Sequence, residues 1–330
     1  MQASRLCYFI RVIRLFRMLN IHRLIYFLAV ALMLSSCNSK TEKTEKKKKE
    51  EIKRLDFSPI VGIRYHEVKR RFSNGLSFSD IGFQQEPSWI IEFASNDTVR
   101  AWSPQKQIMQ PFYFMYDHGD VYNFAGEWFR IRGFSKDSIV MQRLQLTRQV
   151  IAKDIRSDVF MTYYAENYLK NVIKQKQEDL QRPSAADTTY IEKLVARSNR
   201  NPSNADSAFA GRIPVQFIPK SKAISVEKIK TVDKLLGRTE AYDYLFPEYR
   251  IKIMGAYKDF AYGFTAVVDQ NGKIYLDKFR DDMPEYHEAR KKVLEGIIDV
   301  YLQNLLLVKP ATTLDIPHPS QITINVVGKK

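Results

Sequence analysis

The chain has 330 residues with 45% hydrophobic and 12% aromatic content, which is enough for two folded domains and excludes a disordered or fibrous protein. Its formal net charge of +15 is unevenly spread: residues 1–36 hold five arginines and no acid, and residues 38–54 hold seven lysines and one arginine against four glutamates. The excess left for the rest is modest and unclustered, so the basic, aromatic-interleaved footprint of a nucleic-acid binder is missing and no nucleic-acid partner is expected.

Leu24 to Leu34 is an unbroken apolar run preceded by Arg14, Arg17 and Arg23, the order of a signal peptide. The run is about 11 residues, well short of the ~20 that a spanning helix needs, so the segment reads as cleaved. A leader of 36 residues is long, and Met18 offers a start of ordinary proportions. Leu34-Ser35-Ser36-Cys37 resembles the lipobox of bacterial lipoproteins, with small residues before a cysteine and leucine three places ahead of it. The resemblance implies that 1–36 is removed, that the Cys37 thiol takes a diacylglycerol, and that the protein is lipid-anchored to the bacterial outer membrane, on its periplasmic face. Cys7 leaves with the leader, so the mature chain keeps no thiol able to pair. Residues 37–54 contain one apolar side chain, Ile52, and form a flexible tether. Its basic residues either touch anionic headgroups or, diluted by four glutamates, are a solvated spacer.

Alternation begins at Leu55. Trp89, Ile91 and Phe93 point one way and Glu92 the other; Ser95-Asn96-Asp97 turns the chain into Val99 and Ala101. Pro111–Tyr116 returns through Asp117-His118-Gly119-Asp120 into Val121–Phe124, and Trp128–Arg132 through Ser135-Lys136-Asp137-Ser138 into Ile139–Leu146. Strands this close, joined by short turns, predict an antiparallel meander, a half-barrel or lipocalin-like domain over 55–182. Trp89, Trp102 and Trp128 all fall here, and they either line a cavity for a small apolar ligand or fill a core, which is the commoner fate of aromatics in small barrels. Val159–Tyr164 adds a strand and Ala165–Leu180 has helical spacing.

The Pro/Asn/Ser-rich clusters at 182–187 and 198–206 mark 183–206 as a linker, with two turns of helix between them at Tyr190–Ala196. In the second domain, 207–330, strands are expected at Ile213–Ile218 and Tyr249–Met254 and a helix around Val226–Leu236. Tyr262–Val268, the turn Asp269-Gln270-Asn271-Gly272 and Lys273–Asp277 make a hairpin. Asp282-Met283-Pro284-Glu285 opens a helix whose Ala289, Val293, Ile297 and Tyr301 form a stripe widened by Leu294 and Ile298. Lys309-Pro310 ends it, and Ile322–Val327 closes the unit as β-β-α-β, giving an α+β fold overall. Val-Val-Asp-x-Asn-Gly-Lys-Ile, the Ala-bearing helix, Lys309-Pro310-Ala311 and the Pro317–Val326 ending resemble the C-terminal domain of TonB-type energy transducers over Ala256–Val327. The family usually has Trp before Lys-Pro, where this chain has Val308, and Gly where it has Thr312, Thr313 and Asp315. The resemblance implies a small sheet able to take an extended segment of an envelope partner protein along its edge strand, Ile322, Thr323, Ile324, Asn325, Val326 and Val327.

Chemistry-bearing patterns are sparse. His66, His118, His287 and His318 are isolated from one another, and no metal-ligand spacing, nucleophile elbow or phosphate-cradling glycine loop occurs, so no catalytic residue, no metal and no cofactor is expected. Asp117-His118-Gly119-Asp120 is turn chemistry. The sequence therefore points to a non-catalytic envelope lipoprotein that binds a partner protein or scaffolds, or carries a small apolar ligand.

Overall fold

The computed structural model describes residues 54–233, 238–280 and 284–330. The leader, Cys37, the tether and the expected Asp282 cap lie outside the described residues. Leu55–Lys330 forms one compact unit.

Its first half is an antiparallel sheet built from β1 (Arg64–Phe72), β2 (Ile90–Ser95), β3 (Thr98–Ser103), β4 (Ile108–Tyr113), β5 (Met115–His118), β6 (Val121–Phe124), β7 (Glu127–Phe134) and β8 (Ser138–Leu144), then, after a small hairpin of β9 (Leu146–Thr147) and β10 (Val150–Ile151), β11 (Val159–Ala165). The nine-stranded order is β4-β3-β2-β1-β11-β8-β7-β6-β5. Its two edges, β4 and β5, are consecutive in the chain with only Phe114 between them, so the sheet curls into a nearly closed barrel. Phe114 pins that corner: its amide donates to the Asp97 carbonyl at 2.8 Å and its ring stacks on Tyr122 at 4.5 Å.

Aromatic side chains fill the interior. Phe57, from the turn before β1, stacks on Phe93 at 4.8 Å and meets Phe114 and Tyr122 edge-on, closing one end. Towards the other end lies a fully buried carboxylate. Glu67 sits at a bulge in β1, accepts both Nε and Nη2 of Arg70 at 2.7 Å, and also takes the amides of Ser88 and Trp89 at 2.9 and 3.0 Å. Its own carbonyl accepts from Gln181 at 2.8 Å. One carboxylate thus ties β1 to the segment entering β2, and Tyr163, Phe124 and Phe129 pack the remaining interior space.

Ala165–Leu180 is not a continuous helix. A short helical segment ends at Lys174, which is left-handed (φ 55°), and helix resumes only at Gln177–Gln181. The stretch expected as a linker instead carries α1 (Ala185–Arg200), started by a capping box in which Ser184 and Asp187 bond each other's backbone. Asp187 is wholly buried and also accepts the Ser77 amide and Arg71 Nη1, each at 2.7 Å. The apolar face of α1, Ile191, Leu194 and Val195, packs with Phe78 from the β1–β2 loop and with Phe209, so this helix joins the two halves.

The second half contains β12 (Gln216–Pro219), β13 (Ile224–Ile229), β14 (Glu248–Met254), β15 (Phe260–Val268), β16 (Ile274–Phe279), α2 (His287–Ile297), β17 (Leu306–Lys309), β18 (Ala311–Thr313), β19 (Ile316–His318) and β20 (Ser320–Lys329). A mixed five-stranded sheet has the order β13-β14-β20-β15-β16. Three expectations are corrected here. The helix expected at Val226–Leu236 is strand β13 at its start, because Ile224-Ser225-Val226-Glu227 alternates and pairs with β14. Ala289 and Val293 face solvent, and the buried stripe is Leu294, Ile297, Ile298 and Leu302. Most important, Ile322, Thr323, Ile324, Asn325, Val326 and Val327 are not an edge: β20 is the central strand, parallel to β14 and antiparallel to β15, with Ile322, Ile324 and Val326 in the core. Gly272 closes the β15–β16 turn at φ 81°, and a Cβ there would run into the Val308 carbonyl, so the turn and β17 require glycine.

Two buried ionisable groups at the junction give an acid response. His318 stacks on Phe209 at 3.7 Å; its Nδ1–H donates to the Pro319 carbonyl at 3.1 Å and its Nε2 accepts from Thr313 Oγ1 at 3.0 Å. Burial pulls it down to about 4. Burial alone would raise the Asp187 carboxyl, but the Ser77 amide, Arg71 and Ser184 outweigh it and hold the group at about 2. Between pH 6.5 and 4 the unfolded chain protonates His318 and the folded one does not; between 3.8 and 2 the same holds for Asp187. Stability therefore falls with pH in both windows, by about 3 and about 2 kcal/mol. Urea titrations from pH 7 to 4.5 are expected to show the first loss, and His318→Phe is expected to flatten it. For the barrel, Glu67→Ala, which strands Arg70 in the interior, is expected to cost about 3–5 kcal/mol by urea midpoint, with Glu67→Gln milder.

Candidate functional site

The three tryptophans do not share a cavity. Trp89 points inward, edge-on to Phe124 at 5.5 Å and Phe129 at 5.8 Å. With Trp102, Ala101, Gln110, Phe112 and Ala125 it borders a pocket of about 340 Å³. Trp128 neighbours the buried Phe129 in β7 and therefore points to the opposite, outer face of the sheet.

That outer face carries the larger groove. Val121 stands beside the inward Tyr122, and Leu144 lies opposite Trp128 in register, so Val121, Trp128 and Leu144 form an apolar strip outside the barrel. The β9–β10 hairpin straps across it and adds Leu146, Val150 and Ile151, enclosing about 660 Å³. The strap pairs Thr147 with Val150 and Leu146 with Ile151, leaving Arg148 and Gln149 as a two-residue turn. Both have positive φ, 51° and 64°, where Asn-Gly is the favoured pair. Asp117 and His118 stand at the rim and bond each other at 2.5 Å. Lys153 is the other charged lining residue, and among the described residues no carboxylate pairs with it.

The edges of the mixed sheet differ. In β16 the register shifts opposite Thr265/Ala266, leaving Asp277 as a bulged residue that accepts from Thr265 Oγ1 and Gln321, which twists that edge away from a flat template. In β13 pairing is unbroken. The Met254 amide donates to the Ala223 carbonyl at 2.8 Å, and this phase turns the backbone groups of Ser225 and Glu227 to β14 and those of Val226 and Lys228 outward. No described residue bonds the outward groups of Val226 and Lys228. The alternation Ile224, Val226 against Ser225, Glu227 was the sequence signal for this edge.

The histidines stay apart. His66 bonds Gln177 Oε1 at 2.8 Å on β1, His287 stacks on Phe279 at 4.8 Å, and His318 is held neutral in the junction core. No group of three His, Cys, Asp or Glu side chains converges with metal-binding geometry among the described residues. No family model matches the chain, and no curated protein matches it.

The strap turn supplies a direct test of local stability. Replacing Arg148-Gln149 by Asn-Gly relieves two strained residues at about 1 kcal/mol each, and is expected to raise amide protection across Leu146–Ile151 in hydrogen exchange without changing β1 or β11.

Proposed function

We propose that this chain is a bacterial envelope lipoprotein, anchored through Cys37 to the outer membrane on its periplasmic side, whose folded unit binds a partner protein without catalysis. The observation that carries the binding reading is the β13 edge: an unbulged strand with the amides and carbonyls of Val226 and Lys228 turned outward and bonded by no described residue. An extended partner segment adds to such an edge through main-chain hydrogen bonds. The order β15-β16-α2-β20 supports the TonB C-terminal-like reading. Two further strands, β13 and β14, extend the sheet beyond β20, so the docking strand assigned here is β13. Acylation in place of a spanning helix argues against a role in coupling to proton motive force. The second reading, a carrier of a small apolar ligand, is favoured by the Trp89–Trp102 pocket at the barrel mouth.

Two measurements test the proposal. Cys37→Ser is expected to move the protein from the membrane to the soluble fraction. A photo-crosslinker at Ser225 is expected to capture a discrete envelope protein in intact cells; Lys228→Pro, which deletes an outward amide and no internal ladder bond, is expected to reduce capture at least fivefold, while Lys228→Ala leaves it unchanged. Capture that survives the proline would sink the strand-addition reading.

A further inference from the structure

The groove beneath the β9–β10 strap is unexplained by partner binding at β13, lies on the opposite side of the sheet from the Trp89–Trp102 mouth, and is independent of the anchor at Cys37. We infer that it is a binding site for a single-chain amphiphile with an anionic head. Three features carry the assignment.

The walls are apolar along their length: Val121, Trp128 and Leu144 from the sheet, Leu146, Val150 and Ile151 from the strap. A volume of about 660 Å³ is that of a small-molecule site and suits an alkyl chain lying across three strands. Val121 and Leu144 are almost wholly buried although they point away from the barrel interior, because the strap covers them; Val150, on the strap itself, is 66% exposed. The chain has thus built a cover over outer-face apolar residues that is itself incompletely packed.

Charge fixes the head. Asp117 is bonded by His118 at 2.5 Å, whereas the Lys153 ammonium has no carboxylate partner among the described residues. An alkyl chain in the groove with a carboxylate or phosphate at Lys153 satisfies both the apolar walls and this charge, whereas a cationic amphiphile would bring like charges together.

Entry is provided by the strap. Two residues per strand and a turn with both central residues left-handed and neither glycine nor asparagine make β9–β10 a short, strained hairpin of its own, paired with neither β7 nor β8, and so suited to local opening.

The test uses the full chain carrying Cys37→Ser, so that no acyl group of its own competes, with ¹⁵N-labelled tryptophan indoles assigned by Trp128→Phe. Dodecanoate, dodecyl phosphate, dodecanol and dodecylammonium are titrated below their micellar concentrations. The Trp128 indole is expected to shift with dodecanoate or dodecyl phosphate while Trp89 and Trp102 stay still, and the better anion is expected to bind at least fivefold tighter than dodecylammonium. The tighter of the two anions identifies the head as carboxylate or phosphate. Lys153→Gln, at an exposed position that does not threaten folding, is expected to bring the anions level with dodecanol, and Lys153→Glu to reverse the preference. Equal affinity for all four heads, no shift at Trp128, or shifts at Trp89 and Trp102 in its place would each overturn the assignment. None of these outcomes bears on crosslinking at Ser225.

Discussion

One carboxylate fixes the helix and the loop through which the two halves of the folded unit meet. Asp187 starts α1 by accepting from the Ser184 amide and hydroxyl, and its carboxylate also receives Arg71 from the end of β1 and the Ser77 amide from the loop that follows. A buried aspartate with no partners would be expelled or protonated; four donors keep it ionised and fix it in place. The loop held this way, residues 73–89, then contributes Phe78 to the junction core, the Ile81 carbonyl to the Ala210 amide, and Glu86 to Arg212, whose guanidinium lies 4.5 Å over Tyr244. Helix, loop and second sheet therefore share one anchor, and a stretch that composition marks as a linker becomes a rigid connector.

Inside the barrel the same economy of charge excludes an open calyx. Glu67 and Arg70 neutralise each other at the bulge, and the Glu67 oxygens also recruit the amides of Ser88 and Trp89, which brings Trp89 down against Phe124 and Phe129. Breaking such a pair leaves a stranded charge, so it locks a conformation more than it adds stability. With Phe57 plugging the other end, the Trp89–Trp102 pocket lies at the rim and the groove under the strap lies on the outside.

The hairpins of this half were legible because period-two alternation and turn residues act locally: Trp89–Ala101 and Trp128–Leu144 lie within a residue or two of where spacing puts them. The errors fall where non-local pairing decides. Val226–Leu236 offers apolar residues that fit either period, and only pairing with β14 selects strand for its beginning. Ala165–Leu180 has helical spacing throughout, but Lys174 adopts a left-handed conformation that spacing does not encode. Ala289 and Val293 match a helical stripe, yet the face that meets the sheet is rotated to Leu294, Ile297, Ile298 and Leu302. The three tryptophans could be assigned to one domain but not to a face, since inward or outward depends on where each bulge falls.

The central position of β20 has the largest consequence for binding. β13 pairs with β14 and β15 with β16, each antiparallel, whereas β20, from beyond α2, sits parallel to β14 and antiparallel to β15. A strand inserted between two hairpins has its backbone groups taken up on both sides, and burial of Ile322, Ile324 and Val326 follows from that insertion. The outer strands of the finished sheet are then the outer strands of the hairpins. One of these, β16, is bent by its bulge at Asp277; the other, β13, keeps an even ladder, so the placing of β20 between the two pairs leaves the outward backbone groups of Val226 and Lys228 without a described partner.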